Sequence, residues 1–244
     1  MEHWEALCAG GLRFVYDDAL FPPGTDTFLL SSLPRLKAGM RVCDLGCGTG
    51  LLSLLLLQRQ KNLSVTGVDI QPRAVELACA AAEANTLSDR LTFHAADLRK
   101  LKGVLPAGRF DLVVCNPPYY PPRSGRMAED GTIRAARSEL FCTPEDICQA
   151  AAYLLRWDGS FCLVHKPERL TDLCCVMRSY TLEPKRLRFV CKTAGAAPSL
   201  LLLEGRRGGK PGLSVEPPLI LQNDDGSPTA ELDAIYFRKQ EDTP

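Results

Sequence analysis

Apolar residues in this chain are grouped in short runs, and the runs are of two kinds. Runs of consecutive apolar residues bounded by polar or glycine-rich turns are typical of buried strands. Segments in which apolar residues recur every three or four positions are typical of helices packed on a sheet. The runs predicted as strands are residues 40–44, 63–69, 90–97, 110–116, 159–166, 186–192 and 198–207. Helices are predicted from about residue 25 and at residues 50–60, 71–85, 144–156 and 168–180.

The order of these elements predicts an α/β fold. Strands that alternate with helices form right-handed βαβ units, so we expect a mostly parallel seven-stranded sheet with helices on both faces. The last two runs predict an antiparallel C-terminal hairpin. We expect an N-terminal arm and helix at residues 1–35 beside a ligand site. A single domain would follow at residues 36–244, with the hairpin and tail at 181–244 as part of it.

Composition excludes several classes of protein. The 244 residues are 45% hydrophobic and 24% charged, which is typical of a globular chain. The N-terminus lacks a signal peptide and the longest apolar stretch, residues 51–57, is too short to span a bilayer, which predicts a soluble cytoplasmic protein without a membrane partner. The 11 cysteines are scattered without CxxC pairs, so we expect reduced thiols and no metal site. The net charge of zero leaves only local basic clusters for nucleic acid.

The segment DLGCGTG, residues 44–50, carries the first candidate site. Its three glycines, Gly46, Gly48 and Gly50, allow a sharp turn and close approach of a ligand to the backbone, with Cys47 and Thr49 between them. The N-terminus of the following helix offers N–H groups to an anion. A carboxylate at Asp44 would repel a pyrophosphate, but it suits a ligand with a positive centre. S-adenosylmethionine has such a centre.

Acidic residues also end the next two predicted strands. Asp69 lies about twenty positions beyond the glycines, where a carboxylate accepts hydrogen bonds from ribose hydroxyls. Asp97 ends the third strand and is expected to accept from an adenine amine. Ile70 and Leu98 directly follow these acids and are expected to sandwich the adenine ring.

The fourth predicted strand ends in NPPY, residues 116–119. An exocyclic amine is a poor nucleophile because its lone pair is delocalised into the ring. The side-chain oxygen of Asn116 and the carbonyl of Pro117 could accept the two amine hydrogens and favour a pyramidal nitrogen, while Pro118 adds no competing N–H. Tyr119 could stack on an unstacked base, which is worth about 1–3 kcal/mol. The sequence therefore predicts amine methylation at this edge.

The four acid- or amide-ended strands together resemble the class I S-adenosylmethionine-dependent methyltransferases, a Rossmann-like family, over residues 36–164. NPPY in this position resembles the amino-methyltransferases. These act on adenine in DNA or RNA, on the 2-amino group of guanine in ribosomal RNA, or on a glutamine amide of release factors. The motif does not choose among them.

The flanking segments resemble the bacterial transfer-RNA adenine methyltransferase family, which modifies the adenine next to the anticodon of a valine tRNA. The stretch DTFLL resembles that family's DAVLL: Asp26 matches, while Thr27 and Phe28 depart. The stretch ARSE resembles ARHE, with Arg137 and Glu139 matching. The resemblance implies a tRNA substrate, methylation of the adenine 6-amino group, and a cofactor site that includes Asp26 and Asn116 with the acids and glycines above.

Basic residues in the loop after NPPY and in the predicted hairpin are candidates for tRNA phosphates. They are Arg123, Arg126, Arg134, Arg137, Lys185, Arg186 and Arg188. We expect a monomer. A release-factor glutamine methyltransferase, a ribosomal RNA guanine methyltransferase and a non-catalytic tRNA-binding module stay as alternatives.

Overall fold

A computed structural model describes residues 1–18, 20, 24–117 and 142–238 of the chain. Its strands fall into two sheets. A small hairpin pairs β1 (Glu2–Ala6) with β2 (Arg13–Asp17). The large sheet contains, in chain order, β3 (Arg41–Leu45), β4 (Ser64–Asp69), β5 (Leu91–Ala95), β6 (Phe110–Cys115), β7 (Leu155–His165), β8 (Leu182–Cys191), β9 (Pro198–Arg207) and β10 (Ser214–Ile220).

The strand order of the large sheet is β10-β8-β9-β7-β6-β3-β4-β5. Strands β7, β6, β3, β4 and β5 are parallel to one another. Strand β9 is antiparallel to both β7 and β8, and β10 is parallel to β8. The α/β class with a mostly parallel sheet and an antiparallel C-terminal hairpin is therefore confirmed.

The strand count is a correction. Among the described residues the large sheet has eight strands, not seven, because part of the predicted C-terminal tail forms the extra strand β10. Pro217 and Pro218 lie where the register of β10 against β8 shifts, between Glu216 and Leu219. Proline is tolerated there because β10 is an edge strand and needs no ladder N–H on its outer side. The hairpin β1–β2 was not predicted either, and the domain division at residue 35 stays a prediction.

Helices cover both faces of the sheet. They are α1 (Thr25–Ser31), α2 (Leu51–Arg59), α3 (Pro72–Ala84), α4 (Pro144–Leu154), α5 (Leu170–Ser179) and α6 (Ala230–Ile235). Neighbouring strand residues alternate between two cores: Val42 packs in one and Cys43 in the other. Helices α1, α2, α3 and α6 contribute to the first core, while α4 and α5 contribute to the second. No helix in the described ranges is both long and apolar enough to cross a membrane.

Close packing between β4 and β5 depends on Gly67. A Cβ built on Gly67 would lie 2.4 Å from Cδ1 of Phe93 and 2.8 Å from Sγ of Cys47. We expect Gly67→Ala to lower the free energy of unfolding by roughly 1–3 kcal/mol, because the ring must move within a filled core. Urea denaturation measures the change. Gly195→Ala is the control, since a Cβ there meets nothing within 4 Å. Equal stability of the two variants would contradict the packing argument.

Candidate functional site

The predicted acids and the asparagine meet at one edge of the sheet. Strands β6, β3, β4 and β5 are adjacent and parallel, so their carboxyl ends lie side by side. Asp69 is the last residue of β4, Asp44 is the penultimate residue of β3, and Asn116 directly follows β6. Open α/β sheets bind ligands at this edge.

The glycine-rich loop between β3 and α2 is folded as the sequence predicted. Gly46, Gly48 and Gly50 have φ values of 72°, 53° and 84°, a left-handed region that favours glycine. The backbone N–H groups of Gly46 and Cys47 donate to the carbonyl of Val68 at 2.8 and 3.0 Å, which ties the loop to β4. A Cβ on Gly46 or Gly48 would meet nothing within 4 Å. Open space therefore faces the loop where a ligand would approach the backbone.

Asp69 organises this loop as well as facing it. Its Oδ2 accepts from the backbone N–H of Gly48 at 2.8 Å, and its Oδ1 accepts from that of Gln71 at 2.9 Å. Its carboxylate is buried at the carboxyl end of β4. A carboxylate held from both sides is fixed in position before any ligand arrives, which suits bidentate recognition of two hydroxyls.

Asp44 is a buried acid without a cationic partner among the described residues. It is 1% exposed, and the hydroxyl of Ser53 in α2 donates to its Oδ2 at 2.8 Å. Burial raises the pKa of Asp44; together with the opposing Ser53 hydrogen bond and the nearby negative charge of Asp69, it takes the pKa from 3.8 to about 7. A cation that binds beside Asp44 lowers this pKa and so favours the ionised carboxylate.

Asp97 differs from the expectation of a free acceptor. The guanidinium of Arg99 holds its carboxylate bidentately, with Nε–Oδ1 2.9 Å and Nη2–Oδ2 2.8 Å. This hydrogen bonding lowers the pKa of Asp97. Any adenine amine would therefore meet a carboxylate already oriented by Arg99. Ile70 is an exposed large apolar residue beside β4, and Leu98 begins the single turn after Asp97. That they sandwich the adenine ring stays a prediction.

Asn116 is held by the helix α1. Its Nδ2 donates to Oγ1 of Thr27 at 2.9 Å, which directs the oxygen end of the amide away from Thr27. Asp26 precedes Thr27 in the first turn of α1, so α1 borders the site, and Pro117 is buried. Pro118 and Tyr119 lie outside the described residues, and their roles stay predictions.

Three site contacts were missed from the sequence: Thr27, Ser53 and Arg99. Thr27 departs from the family pattern, yet its hydroxyl accepts the hydrogen bond from the Asn116 amide. Phe28, the other departure, stacks on Tyr236 with ring centroids 4.4 Å apart. The aromatic at position 28 and Tyr236 are 208 positions apart, so no local pattern could have paired them.

Two of the basic hairpin residues, Arg186 and Arg188, are paired with carboxylates inside the fold. Arg186 is paired with Glu204 at 2.6 Å and with Glu216 at 3.3 Å. Arg188 makes two hydrogen bonds to Glu231, at 2.6 and 2.8 Å. Both guanidinium groups form internal ion pairs, and their assignment to tRNA phosphates stays a prediction. Lys185 donates to the carbonyl of Lys210 at 3.0 Å, and the loop residues Arg123, Arg126, Arg134 and Arg137 lie outside the described ranges.

The Arg186 pairs predict a structural role. We expect Arg186→Met to lower the free energy of unfolding by roughly 2–3 kcal/mol, because the buried carboxylate of Glu204 and the half-buried one of Glu216 lose their partner. Chemical denaturation measures this loss. Lys185→Met, a neighbouring cation without a carboxylate partner in the described structure, is the control and should change stability by less than about 0.5 kcal/mol. A stable Arg186→Met variant that binds RNA poorly would instead support the assignment of Arg186 to tRNA phosphates.

The chain is similar in sequence to known methyltransferases. The model of the methyltransferase small domain family matches residues 15–172. A tRNA1(Val) (adenine(37)-N6)-methyltransferase of Porphyromonas gingivalis is 34% identical over 75% of this chain and 73% of its own. One of Dickeya chrysanthemi is 28% identical over 96% and 95%.

Among solved structures, a predicted O-methyltransferase of Agrobacterium tumefaciens covers 90% of this chain and 100% of its own, with a TM-score of 0.71 at 20% identity, which shows the shared fold. The matches confirm the resemblance drawn from DLGCGTG, NPPY and the flanking segments. The chain belongs to the methyltransferase small domain family and is a relative of the tRNA1(Val) (adenine(37)-N6)-methyltransferases.

Proposed function

We propose that this enzyme transfers a methyl group to the 6-amino group of an adenine next to the anticodon of a tRNA. The observation that carries the proposal is Asn116, whose amide Thr27 orients at 2.9 Å beside a glycine-rich loop. Its relatives carry this activity in their names. S-adenosylmethionine is the methyl donor, and its activated methyl group supplies the electrophile.

The residues fit this cofactor. Open space lies over Gly46 and Gly48, where any side chain would intrude, and Gly50 begins a helix whose first N–H groups face the same edge. Asp69 would hold the ribose hydroxyls and Asp97 the adenine amine, with Ile70 and Leu98 on the ring faces. The buried Asp44 would complement positive charge. The remaining proposed contacts are Asp26, Cys47, Thr49 and Asn116.

Asn116 and Pro117 would act on the acceptor amine. The amide oxygen and the proline carbonyl accept its two hydrogens, so the nitrogen becomes pyramidal and its lone pair more available. No strong base is required, because the nitrogen loses its proton readily once alkylated. Catalysis is then mainly positioning and electrostatics. The prediction that Tyr119 stacks on the flipped base belongs to the same proposal, since an amine in a stacked helix cannot reach the methyl group.

The three alternatives are not favoured. The relatives that match most of the chain are named as tRNA adenine methyltransferases, not as guanine or glutamine enzymes. A non-catalytic module would need neither the oriented Asn116 nor the open glycine-rich loop. We further expect the enzyme to act as a cytoplasmic monomer without a metal ion.

The proposal is tested by product analysis. The protein is incubated with labelled S-adenosylmethionine and unmodified transcripts of valine tRNA, and the RNA is digested to nucleosides. Label is expected in N6-methyladenosine from the anticodon loop, and a transcript with guanine in place of that adenine should take up none. Label in methylguanosine, or label only when release factor is supplied, would overturn the proposal.

Asp69 tests the cofactor site separately. We expect Asp69→Ala to weaken S-adenosylmethionine binding by roughly tenfold or more, because charge-assisted hydrogen bonds of about 1.5–3 kcal/mol are lost. The loop loses its anchor at Gly48 as well, so Asp69→Asn, which keeps one acceptor, should bind with intermediate affinity. Isothermal titration calorimetry measures the order. Wild-type affinity in Asp69→Ala would remove Asp69 from the cofactor site.

A further inference from the structure

A groove lies at the edge of the sheet opposite to the candidate site. Strand β7 runs toward the candidate site, so Trp157 near its start lies at the far edge, and antiparallel β9 brings Arg206 to the same place. The groove has a volume of about 610 Å³. Strands rise about 3.3 Å per residue, so the two edges are roughly 20–25 Å apart.

Trp157 is an exposed aromatic platform. Its side chain is 63% exposed, yet its inner face packs against the backbone of Gly208. A Cβ on Gly208 would lie 2.1 Å from Cζ2 of the indole, so only glycine allows this contact. Asp158 has a φ of 62° and Gly159 follows, which sets the turn that projects the ring. The sequence pattern predicts a helix up to residue 156, whereas β7 already begins at Leu155.

Cations surround this ring. Arg206 and Lys210 are exposed, and within the described structure neither side chain has a carboxylate partner. Arg35 is 77% exposed and 3.9 Å from Glu216, and the Lys185 ammonium bonds only the Lys210 carbonyl in the described part. Asp158, Glu204 and Glu216 also line the groove. Arg186 pairs with the two glutamates, and the five lining cations outnumber the three carboxylates.

An exposed aromatic face ringed by cations matches the chemistry of a nucleotide. Indole stacks on any base, and lysine and arginine bind phosphates. We propose that this groove binds an unpaired nucleotide of the RNA substrate, with its base on Trp157 and its phosphates on Arg206, Lys210 and Lys185. This inference rests on the proposed function for the identity of the RNA. The distance between the edges means that this nucleotide is remote from the methylated one.

Tryptophan fluorescence tests the proposal without any methyl transfer. The chain has two tryptophans, so Trp4→Phe leaves Trp157 as the only emitter. Titration with an unmodified valine tRNA transcript should quench its emission, because a stacked base quenches indole. Arg206→Ala with Lys210→Ala should weaken the quenching titration and reduce its salt dependence by about one to two counterions. Lys61→Ala, an exposed lysine outside the groove, is the matched control and should change neither.

Steady-state methylation gives the second readout. Trp157→Leu should raise the KM for tRNA by roughly 5- to 100-fold and leave kcat unchanged, since the ring is far from Asn116. Trp157→Phe should restore part of the loss. Absence of quenching by tRNA together with an unchanged KM in Trp157→Leu would overturn the proposal. Quenching by adenosine monophosphate but not by tRNA would overturn the assignment to RNA. Quenching without methylation would instead defeat the proposed function and leave the groove standing.

Discussion

Asn116→Ala is expected to lower the single-turnover rate of methyl transfer by roughly 10²–10³-fold or more, and to alter S-adenosylmethionine affinity much less than the rate. The amide oxygen is one of two acceptors for the amine hydrogens, and its loss leaves the lone pair delocalised into the adenine ring. Removing one preorganised hydrogen-bonding group in an active site costs a factor of this size. Rapid-quench assays measure the rate, and calorimetry measures cofactor binding.

Thr27 supplies the matched variants for this prediction. Thr27→Val keeps the shape of the side chain but removes the hydroxyl that receives Asn116 Nδ2 at 2.9 Å. The amide is then less well oriented, so we expect a rate loss of roughly tenfold, smaller than that of Asn116→Ala. Thr27→Ser keeps the hydroxyl and should restore most of the rate. Near-normal turnover of Asn116→Ala would defeat the amine-activation argument, whatever the Thr27 variants do.

The predictable part of this molecule is local in the sequence. The strands β3, β4 and β6 are short apolar runs, and their parallel arrangement brings their carboxyl ends to one edge of the sheet. Asp44, Asp69 and Asn116 lie at those ends. The tight turn after β3 is also predictable, because glycine adopts positive φ easily and few other residues do. The fold class and the candidate site therefore follow from pattern and order.

Long-range pairing could not be predicted in the same way. The sequence around Arg186 and Arg188 gives no sign of their acidic partners. These partners lie on two other strands and a helix: Glu204, Glu216 and Glu231. Strand β10 contains two prolines and becomes a strand only because an open sheet edge is available to it. A single sequence specifies such pairs only through the completed fold.

Asp44→Asn is expected to raise the free energy of unfolding at pH 8 by up to roughly 4 kcal/mol relative to the wild type. Burial raises the pKa of Asp44 from 3.8 to about 7 in the folded protein. Well below pH 3.8 the carboxyl is neutral in both folded and unfolded states, so it costs nothing. As pH rises from 4 to 7 the unfolded state ionises first, and the wild type loses stability. Asn cannot ionise, so the gap between the proteins opens over that range and levels off above pH 7.

Urea denaturation of the cofactor-free proteins at pH 3, 4.5, 6 and 8 measures this gap. Asp97→Asn is the matched control with the opposite sign, because the Arg99 hydrogen bonds lower the pKa of Asp97. Its carboxylate stabilises the fold above pH 4, so Asp97→Asn should be less stable than the wild type at neutral pH, and the difference should vanish in acid. A gap for Asp44→Asn that is constant with pH would mean that Asp44 ionises normally in the fold. The buried carboxyl would then offer a fixed negative charge to the cofactor, without the proton release that a raised pKa requires when a cation binds.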